Sequence, residues 1–381
     1  MNETRTVLLK TGCLSVDIFP GAAFAFDDLC AFAARNNRKR GFLFISKVLG
    51  KHWPVAPTVM RNIHAHLAAD IPAGAAPTVF IGMAETATGL GHGVFEAFLQ
   101  RNPNHPALYL HTTRYRVASR EFLGFEERHT HAPELFLYRP LDGNHDDLFR
   151  TAGTLVLIDD EISTGSTLCN LARAYLSVNP QLQQIVFASI TDFSGSDADQ
   201  RFSAEIGIPV RRVAALQGAF QFQPVEHWPG EPPPPAVGDN VCDEGFMADR
   251  LGRFGISTAI HIPPENIDTL VAGLDANARV LVLGTGELMH PAFRLGLELE
   301  AKGFAVTVQA TTRSPILIGE GVSKCLGFAD NYGENIQNYL YNVGQGEYDL
   351  CIICHETPLG NELMEMAQQL GRCLFYDCSN L

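Results

Sequence analysis

Residues 155–168 read LVLIDDEISTGSTL: an apolar run that ends in two carboxylates and passes at once into a loop of Ser, Thr and Gly. A run so short and so rich in aliphatic residues reads as a strand buried on both faces. The amphipathic stretch from Ser166 to Leu176 then reads as a helix. Strand, tight loop and helix in that order bring backbone N–H groups and hydroxyls together at the positive end of a helix dipole, which is a seat for phosphate. Asp159 and Asp160 stand at its rim, where carboxylates accept hydrogen bonds from vicinal hydroxyls or hold a metal through water. A phosphorylated sugar satisfies both features. A Walker loop is excluded, because the position after the glycine that needs Lys is Ser166.

The surrounding sequence fixes the fold class as α/β. Before residue 224, short apolar runs alternate with longer amphipathic ones: 78–81 then 93–100, 107–111, 155–158 then 166–176, and 185–190. The same rhythm returns at 280–283, 290–302, 305–309, 350–354 and 362–370. Repeated strand and helix imply a parallel sheet of the doubly wound type. Between the two series, Pro224, Pro229 and the run Pro232 to Pro235 favour a stiff extended spacer. The expected organisation is therefore a first α/β domain over 1–223, a Pro-rich linker over 224–238 and a second α/β domain over 239–381.

Four short anchors recur in the same order in both series. Gly82-Met83-Ala84-Glu85 answers Gly284-Thr285-Gly286-Glu287, and Thr112-Thr113-Arg114 answers Thr311-Thr312-Arg313. Leu123-Gly124-Phe125 with Leu137-Tyr138 answers Leu326-Gly327-Phe328 with Leu340-Tyr341. Finally 158–168, IDDEISTGSTL, aligns without a gap on 353–363, ICHETPLGNEL. The expectation is an internal duplication with a degenerate second copy of similar topology. In that copy Cys354-His355 replace Asp159-Asp160, and the hydroxyls of the loop are largely lost, so the second copy should not bind a sugar phosphate in the same way. Cys351-x-x-Cys354 lies within a strand, where residues three apart face opposite sides, which argues against zinc. Gly284-Thr285-Gly286 lacks the third glycine of a dinucleotide fingerprint, since residue 289 is Met.

Lys and Arg number 28 against 42 Asp and Glu, for a net charge of −14, which opposes sequence-independent attraction to nucleic acid or anionic lipid. No apolar run approaches a membrane span. The nine cysteines lie mostly inside apolar runs, as buried reduced thiols do, and a cytoplasmic location is expected. The basic stretch 35–52 is unusual in so acidic a chain. Arg38 to Arg40 read as a solvated turn, while Lys47 and Lys51 read either as part of that turn or as facing a phosphate or acidic acceptor.

The motif at 155–168 resembles the signature of type I phosphoribosyltransferases. The resemblance implies that Asp159 and Asp160 hold the ribose 2- and 3-hydroxyls of 5-phosphoribosyl 1-diphosphate (PRPP) and that Ser163, Thr164, Gly165, Ser166 and Thr167 hold its 5-phosphate. It further places a diphosphate loop on Gly82, Met83, Ala84, Glu85 and Thr86, and charge for the diphosphate on Arg114 and Arg116. The family's mobile loop falls on Arg120 and 126–131, with His129 or His131 as a proton carrier; the alternating Lys/His pattern of the orotate enzymes is absent. Taken whole, the chain resembles the orotate phosphoribosyltransferase-like proteins of tellurite-resistance (ter) gene clusters, which carry a C-terminal TRSP domain; the tetrapeptide stands here as Thr312-Arg313-Ser314-Pro315. The resemblance implies transfer of phosphoribose from PRPP to a nitrogenous base or related heterocycle, with Mg²⁺ bound through PRPP or pyrophosphate and no metal held by the protein alone. The alternative is a non-catalytic PRPP- or nucleotide-binding regulator. Single-domain members of the family pair as homodimers, which makes a homodimer one expectation here, and an internal duplication that satisfies the same interface within one chain the other.

Overall fold

A computed structural model of the chain describes residues 3–35, 40–126, 134–226, 241, 242, 247, 250–319, 321–334, 336–379 and 381. Two sheets organise them. The first contains β1 (Glu3–Leu9), β2 (Gly12–Ile18), β3 (Thr78–Gly82), β4 (Ala107–His111), β5 (Thr154–Ile162), β6 (Gln184–Asp192) and β7 (Val210–Pro224) in the order β1-β2-β7-β6-β5-β3-β4. From β7 to β4 every pairing is parallel, while β2 and β1 close the far edge as an antiparallel hairpin. The second sheet contains β8 (Arg279–Gly284), β9 (Ala305–Ala310), β10 (Leu350–His355) and β11 (Cys373–Asp377) in the order β9-β8-β10-β11, all parallel. Strands such as β3 and β10 are buried at every position, which is why they read as unbroken apolar runs.

The helices that matter for the site follow strands: α1 (Thr88–Arg101) after β3, α2 (Ser166–Leu176) after β5, α3 (Met289–Ala301) after β8 and α4 (Asn361–Leu370) after β10. α1 and α3 pack on each other across the two sheets. Between them the rings of His92 and His290 stack with centroids 3.8 Å apart and planes 11° apart, and His290 Nε2 lies 2.8 Å from Glu96 Oε1. One ligand atom from each of His92, Glu96 and His290 lies within 4.8 Å of the others, so the three form a buried cluster where the two helices meet.

β7 extends to Pro224, the first residue of the segment that composition assigns to the spacer. Beyond Gln217 it pairs only with β2, so its other edge is free of ladder bonds and a proline is tolerated there. Residues 227–240, most of the proline-rich stretch, lie outside the described residues.

The two sheets share strand order and details of register. Gly82 sits opposite Ile158 in the first, and Gly284 opposite Cys354 in the second. Thr112 N–H donates to Gly82 O (2.9 Å) and Thr311 N–H to Gly284 O (3.0 Å). Each sheet carries a hairpin, Phe122–Glu126 with Glu134–Tyr138 and Cys325–Ala329 with Gln337–Tyr341, whose last tyrosine hydroxyl takes an N–H and donates to a carbonyl of the preceding segment. The strand register corrects the gapless alignment: Ile158 corresponds to Cys354, not Ile353, although Gly165 and Gly360 both precede a helix. The loop after β10 is therefore one residue shorter than the loop after β5, and His355 and Glu356 are the counterparts of Asp159 and Asp160.

The halves also exchange backbone. Residues 50–55 leave the first half to lie along the outer edge of β9: Val55 and Val308 exchange N–H to O bonds of 3.0 and 2.7 Å, and Ala310 N–H reaches Gly50 O at 2.8 Å. Residues 252–256 do the same to β4, with Tyr109 and Ile256 exchanging bonds of 2.8 and 2.9 Å and His111 N–H reaching Gly252 O at 3.1 Å. Neither strand keeps an unpaired edge along these residues.

Candidate active site

Three segments singled out in the sequence meet at the carboxyl ends of adjacent strands β4, β3 and β5, the edge where parallel α/β sheets bind ligands. The Ser/Thr/Gly loop leaves β5, the Gly82 loop leaves β3, and Thr112-Thr113-Arg114 leaves β4. Hydrogen bonds tie them together: Met83 N–H to Ile158 O (2.9 Å), Ala84 N–H to Thr112 Oγ1 (2.8 Å) and Thr112 N–H to Gly82 O.

In the first loop, Gly165 adopts φ +75° and a Cβ there would collide with the Phe202 ring, so only glycine fits. It turns the chain into α2, which begins at Ser166 without a side-chain cap from Gly165, while the Ser166 N–H donates to Thr164 Oγ1 at 3.4 Å. Thr164 Oγ1 and Ser166 Oγ lie 3.1 Å apart, with Thr164 exposed and Ser163, Ser166 and Thr167 half-buried. Asp159 and Asp160 are half-buried at the strand end, and Asp160 N–H donates to Asp159 Oδ1 at 2.9 Å. Burial raises the Asp160 carboxyl, against the lowering influence of Asp159 and Arg40. Glu161 is raised by burial too, although Arg40 holds it at 2.5 Å. Arg40 is thus an ion-pair partner at the site and not a solvated turn residue; Arg38 and Lys39 lie outside the described residues. These carboxyls gain from any cation or hydroxyl donor that arrives, as a sugar diol or a metal would supply.

The second loop is tight at Gly82, where a Cβ would lie 2.8 Å from both Ala87 O and the Tyr109 hydroxyl. The Ala84–Glu85 peptide is cis. The Glu85 carboxylate is buried against Lys51 Nζ at 2.7 Å, and Arg313 Nε stands 3.7 Å away. Burial alone would raise Glu85, but Lys51 and Arg313 outweigh it and the net shift is downward. Lys51 is fully buried, not part of a solvated turn; burial lowers it, and it also donates to Gly286 O at 2.8 Å. Lys47 instead reaches Asp27 O at 2.7 Å.

Arg114 joins the seam between the halves: its backbone N–H donates to Glu287 Oε1 at 2.9 Å, and Thr113 Oγ1 donates to Glu287 Oε2 at 2.7 Å. Arg116 is exposed on a two-residue strand paired with Val241–Cys242, and no described contact brings it to the aspartates. His129 and His131 lie outside the described residues. Sequence reasoning left Lys51 open between a solvated turn and an acidic or phosphate partner, and it missed Glu85 as an ion-pair partner and Arg253. Arg253 is buried and bridges Glu287 (3.2 Å) and Glu356 (2.9 Å), while Tyr332 OH donates to Glu356 at 2.8 Å. The available signal was the likeness of the two series, since Gly50-Lys51 and Gly252-Arg253 occupy matching places on β9 and β4.

The parallel sheet carries an acidic strand end and a glycine-turned Ser/Thr loop side by side at its carboxyl edge, the arrangement of an α/β ligand-binding protein. The family described as phosphoribosyl transferase matches residues 29–219, and the chain belongs to it. The TRSP domain, C-terminal to that family's domain, matches residues 250–370. Among solved structures, the chain is similar to adenine phosphoribosyltransferase from Rhodothermus marinus (15% identity over 56% of this chain and 93% of that one, TM-score 0.29). It is also similar to Mycobacterium tuberculosis orotate phosphoribosyltransferase (13% identity over 49% and 90%, TM-score 0.28) and to the Trypanosoma brucei adenine enzyme (18% identity over 42% and 64%, TM-score 0.29). No curated protein sequence matches this one. Among the described residues, no helix is long and apolar enough to cross a membrane.

Proposed function

We propose that the chain transfers the 5-phosphoribosyl group of PRPP to a nitrogenous base or related heterocycle and releases pyrophosphate. The observation that carries this reading is the meeting of the Asp159-Asp160 strand end, the Ser163–Thr167 loop and the Gly82–Thr86 loop on adjacent strands, joined by the Met83 to Ile158 hydrogen bond. A sugar phosphate with a diphosphate on C1 spans those three elements in order. The loop at the start of α2 takes the 5-phosphate, the aspartates take the 2- and 3-hydroxyls, and Gly82, Met83, Ala84, Glu85 and Thr86 take the diphosphate with charge from Arg114 and Arg116.

The C1–O bond to diphosphate breaks, a C1–N bond forms, and the acceptor nitrogen loses its proton, for which His129 or His131 is the carrier. Little acid-base strength is needed, because the barrier is mainly charge development at C1 and on the departing oxygens. Mg²⁺ uses one or two carboxylates beside substrate phosphates. Asp159 and Asp160, the latter raised by burial, fit that requirement together with PRPP. When bound, the ion neutralises the diphosphate.

Calorimetry of PRPP with and without Mg²⁺, followed by a screen of bases for pyrophosphate release, tests the reading. Metal-dependent binding and release with one base is the expected result. Binding with no release for any base points to a regulator, and no binding overturns the proposal.

A further inference from the structure

Each half presents an acidic residue on the loop after the strand next to its sheet's edge, Glu85 after β3 and Glu287 after β8, and each is held in the same two ways. A basic residue of its own half's exchanged segment reaches it: Lys51 at 2.7 Å from Glu85, Arg253 at 3.2 Å from Glu287. The Thr-Thr-Arg segment of the opposite half reaches it as well. Thr113 and the Arg114 N–H serve Glu287, and the Arg313 guanidinium serves Glu85.

The two clamps differ in how tightly they close. Glu287 accepts at 2.7, 2.9 and 3.2 Å, hydrogen bonds that engage both carboxylate oxygens. Among the described residues Lys51 lies 2.7 Å from Glu85 and Arg313 stands off at 3.7 Å, and Arg114 adds to the downward shift of the carboxyl. Arg313 is itself held from three sides: Glu334 at 2.6 Å, the Tyr115 ring with its centroid 4.8 Å away, and Glu85. Its side chain is only 14% exposed, so it is a fixed charge at the end of the Gly82–Thr86 loop. A loose contact from a fixed cation to a carboxylate in a loop is one that a shift of that loop can tighten or release.

We infer that Arg313, supplied by the second half, is a positioning residue for the first half's Gly82–Thr86 loop, acting through Glu85 to set the loop's backbone for a diphosphate. The inference rests on the proposed function, in which that loop takes the diphosphate. It gives the second half a part in the reaction although its own strand end is closed by Arg253 and Glu356.

The test uses the whole chain and three probes, PRPP with Mg²⁺, pyrophosphate with Mg²⁺ and ribose 5-phosphate, titrated calorimetrically into the unmodified protein, Arg313→Met, Arg313→Lys, Glu85→Gln and Arg313→Met/Glu85→Gln. Arg313→Met should weaken PRPP and pyrophosphate tenfold or more and leave ribose 5-phosphate within twofold, because the Ser163–Thr167 loop is untouched. Arg313→Lys should recover part of the loss. The double variant should bind pyrophosphate no more weakly than the worse single one, since both act through one contact. Unchanged pyrophosphate binding in Arg313→Met overturns the inference, as does parallel loss of ribose 5-phosphate, the mark of a merely structural role, or losses that add in the double variant. Failure of the unmodified protein to bind PRPP overturns the functional reading itself, and this inference with it.

Discussion

Arg253 and Glu356 are joined by two hydrogen bonds, of 2.9 and 3.2 Å, at the place in the second half that corresponds to Asp160 in the first. A guanidinium therefore closes off that strand end, which in the first half is left to Asp159 and Asp160. The Glu356 carboxyl is lowered: burial would raise it, and Arg253 with the Tyr332 hydroxyl more than offsets that. One half leaves its acids half-buried at the strand end, and the other has buried the matching carboxylate against a cation of its own.

Removing Arg253 leaves Glu287 and Glu356 without their buried counter-charge. Arg253→Met should destabilise the chain by about 3–5 kcal/mol. Adding Glu356→Gln should recover part of that. Urea unfolding of the two variants checks this, and equal stability of Arg253→Met and the unmodified protein would contradict it.

The aspartates are expected to matter for ligand and not for folding. Asp159→Asn/Asp160→Asn should lower metal-dependent PRPP affinity by about 100-fold or more, the scale of two charge-assisted hydrogen bonds. Burial raises Asp160, so neutralising it should leave the melting temperature unchanged or slightly higher. Calorimetry beside thermal melts separates the two effects.

At Gly165 the φ of +75° and the Phe202 ring, which a β-carbon would strike, both exclude a side chain. Gly165→Ala should cost about 1–2 kcal/mol for the left-handed backbone, and more for the clash. Phe202→Leu in the same chain should return the clash share and leave the backbone share. The pair of variants, compared by chemical unfolding, divides the cost.

Burial pushes His52 and His64 down to about 3 from an ordinary value of 6.5. The unfolded chain takes up these protons near pH 6.5 and the folded chain only near 3, so unfolding gains protons in between. The stability tied to their neutral forms is fully present above pH 6.5 and is lost as the pH falls toward 3, at about 1.4 kcal/mol per pH unit for each histidine. Unfolding midpoints between pH 6 and 4.5 should fall accordingly, and His64→Asn should flatten the slope by one histidine's share. A midpoint independent of pH in that window would refute the assignment.

Much of the frame was legible in the sequence because parallel strands announce themselves as unbroken apolar runs. The strand 107–111 and the helix 166–176 appear with the expected bounds, and 350–354 and 362–370 within a residue. The loops of the site were legible for the same reason: Gly82, Gly165 and the acids follow such runs directly. What was hidden depends on contacts between residues far apart in sequence. Lys51 reads equally as a solvated turn residue or as a partner to an acid until residues 50–55 are laid on β9, and Arg253 has no local pattern at all. The one-residue slip between Ile158 and Cys354 was invisible because the helix-starting glycines kept the gapless alignment plausible. The hairpin β1 and β2, and the extension of β7 to Pro224, follow from pairing with each other and from no periodicity of their own.

The exchanged segments make each half answerable for the other's sheet. Val308 and Ala310 depend for their hydrogen bonds on Val55 and Gly50, more than two hundred positions earlier in the chain, and Tyr109 and His111 depend on Ile256 and Gly252. A cut anywhere between the halves would release no independent piece, because each fragment would carry away the edge strand's cover from its neighbour. Change at a strand end, such as acids giving way to His355, leaves that covering intact. Change along the outer edge of β4 or β9 does not, so the two halves are bound to keep those edges matched however far their pockets drift apart.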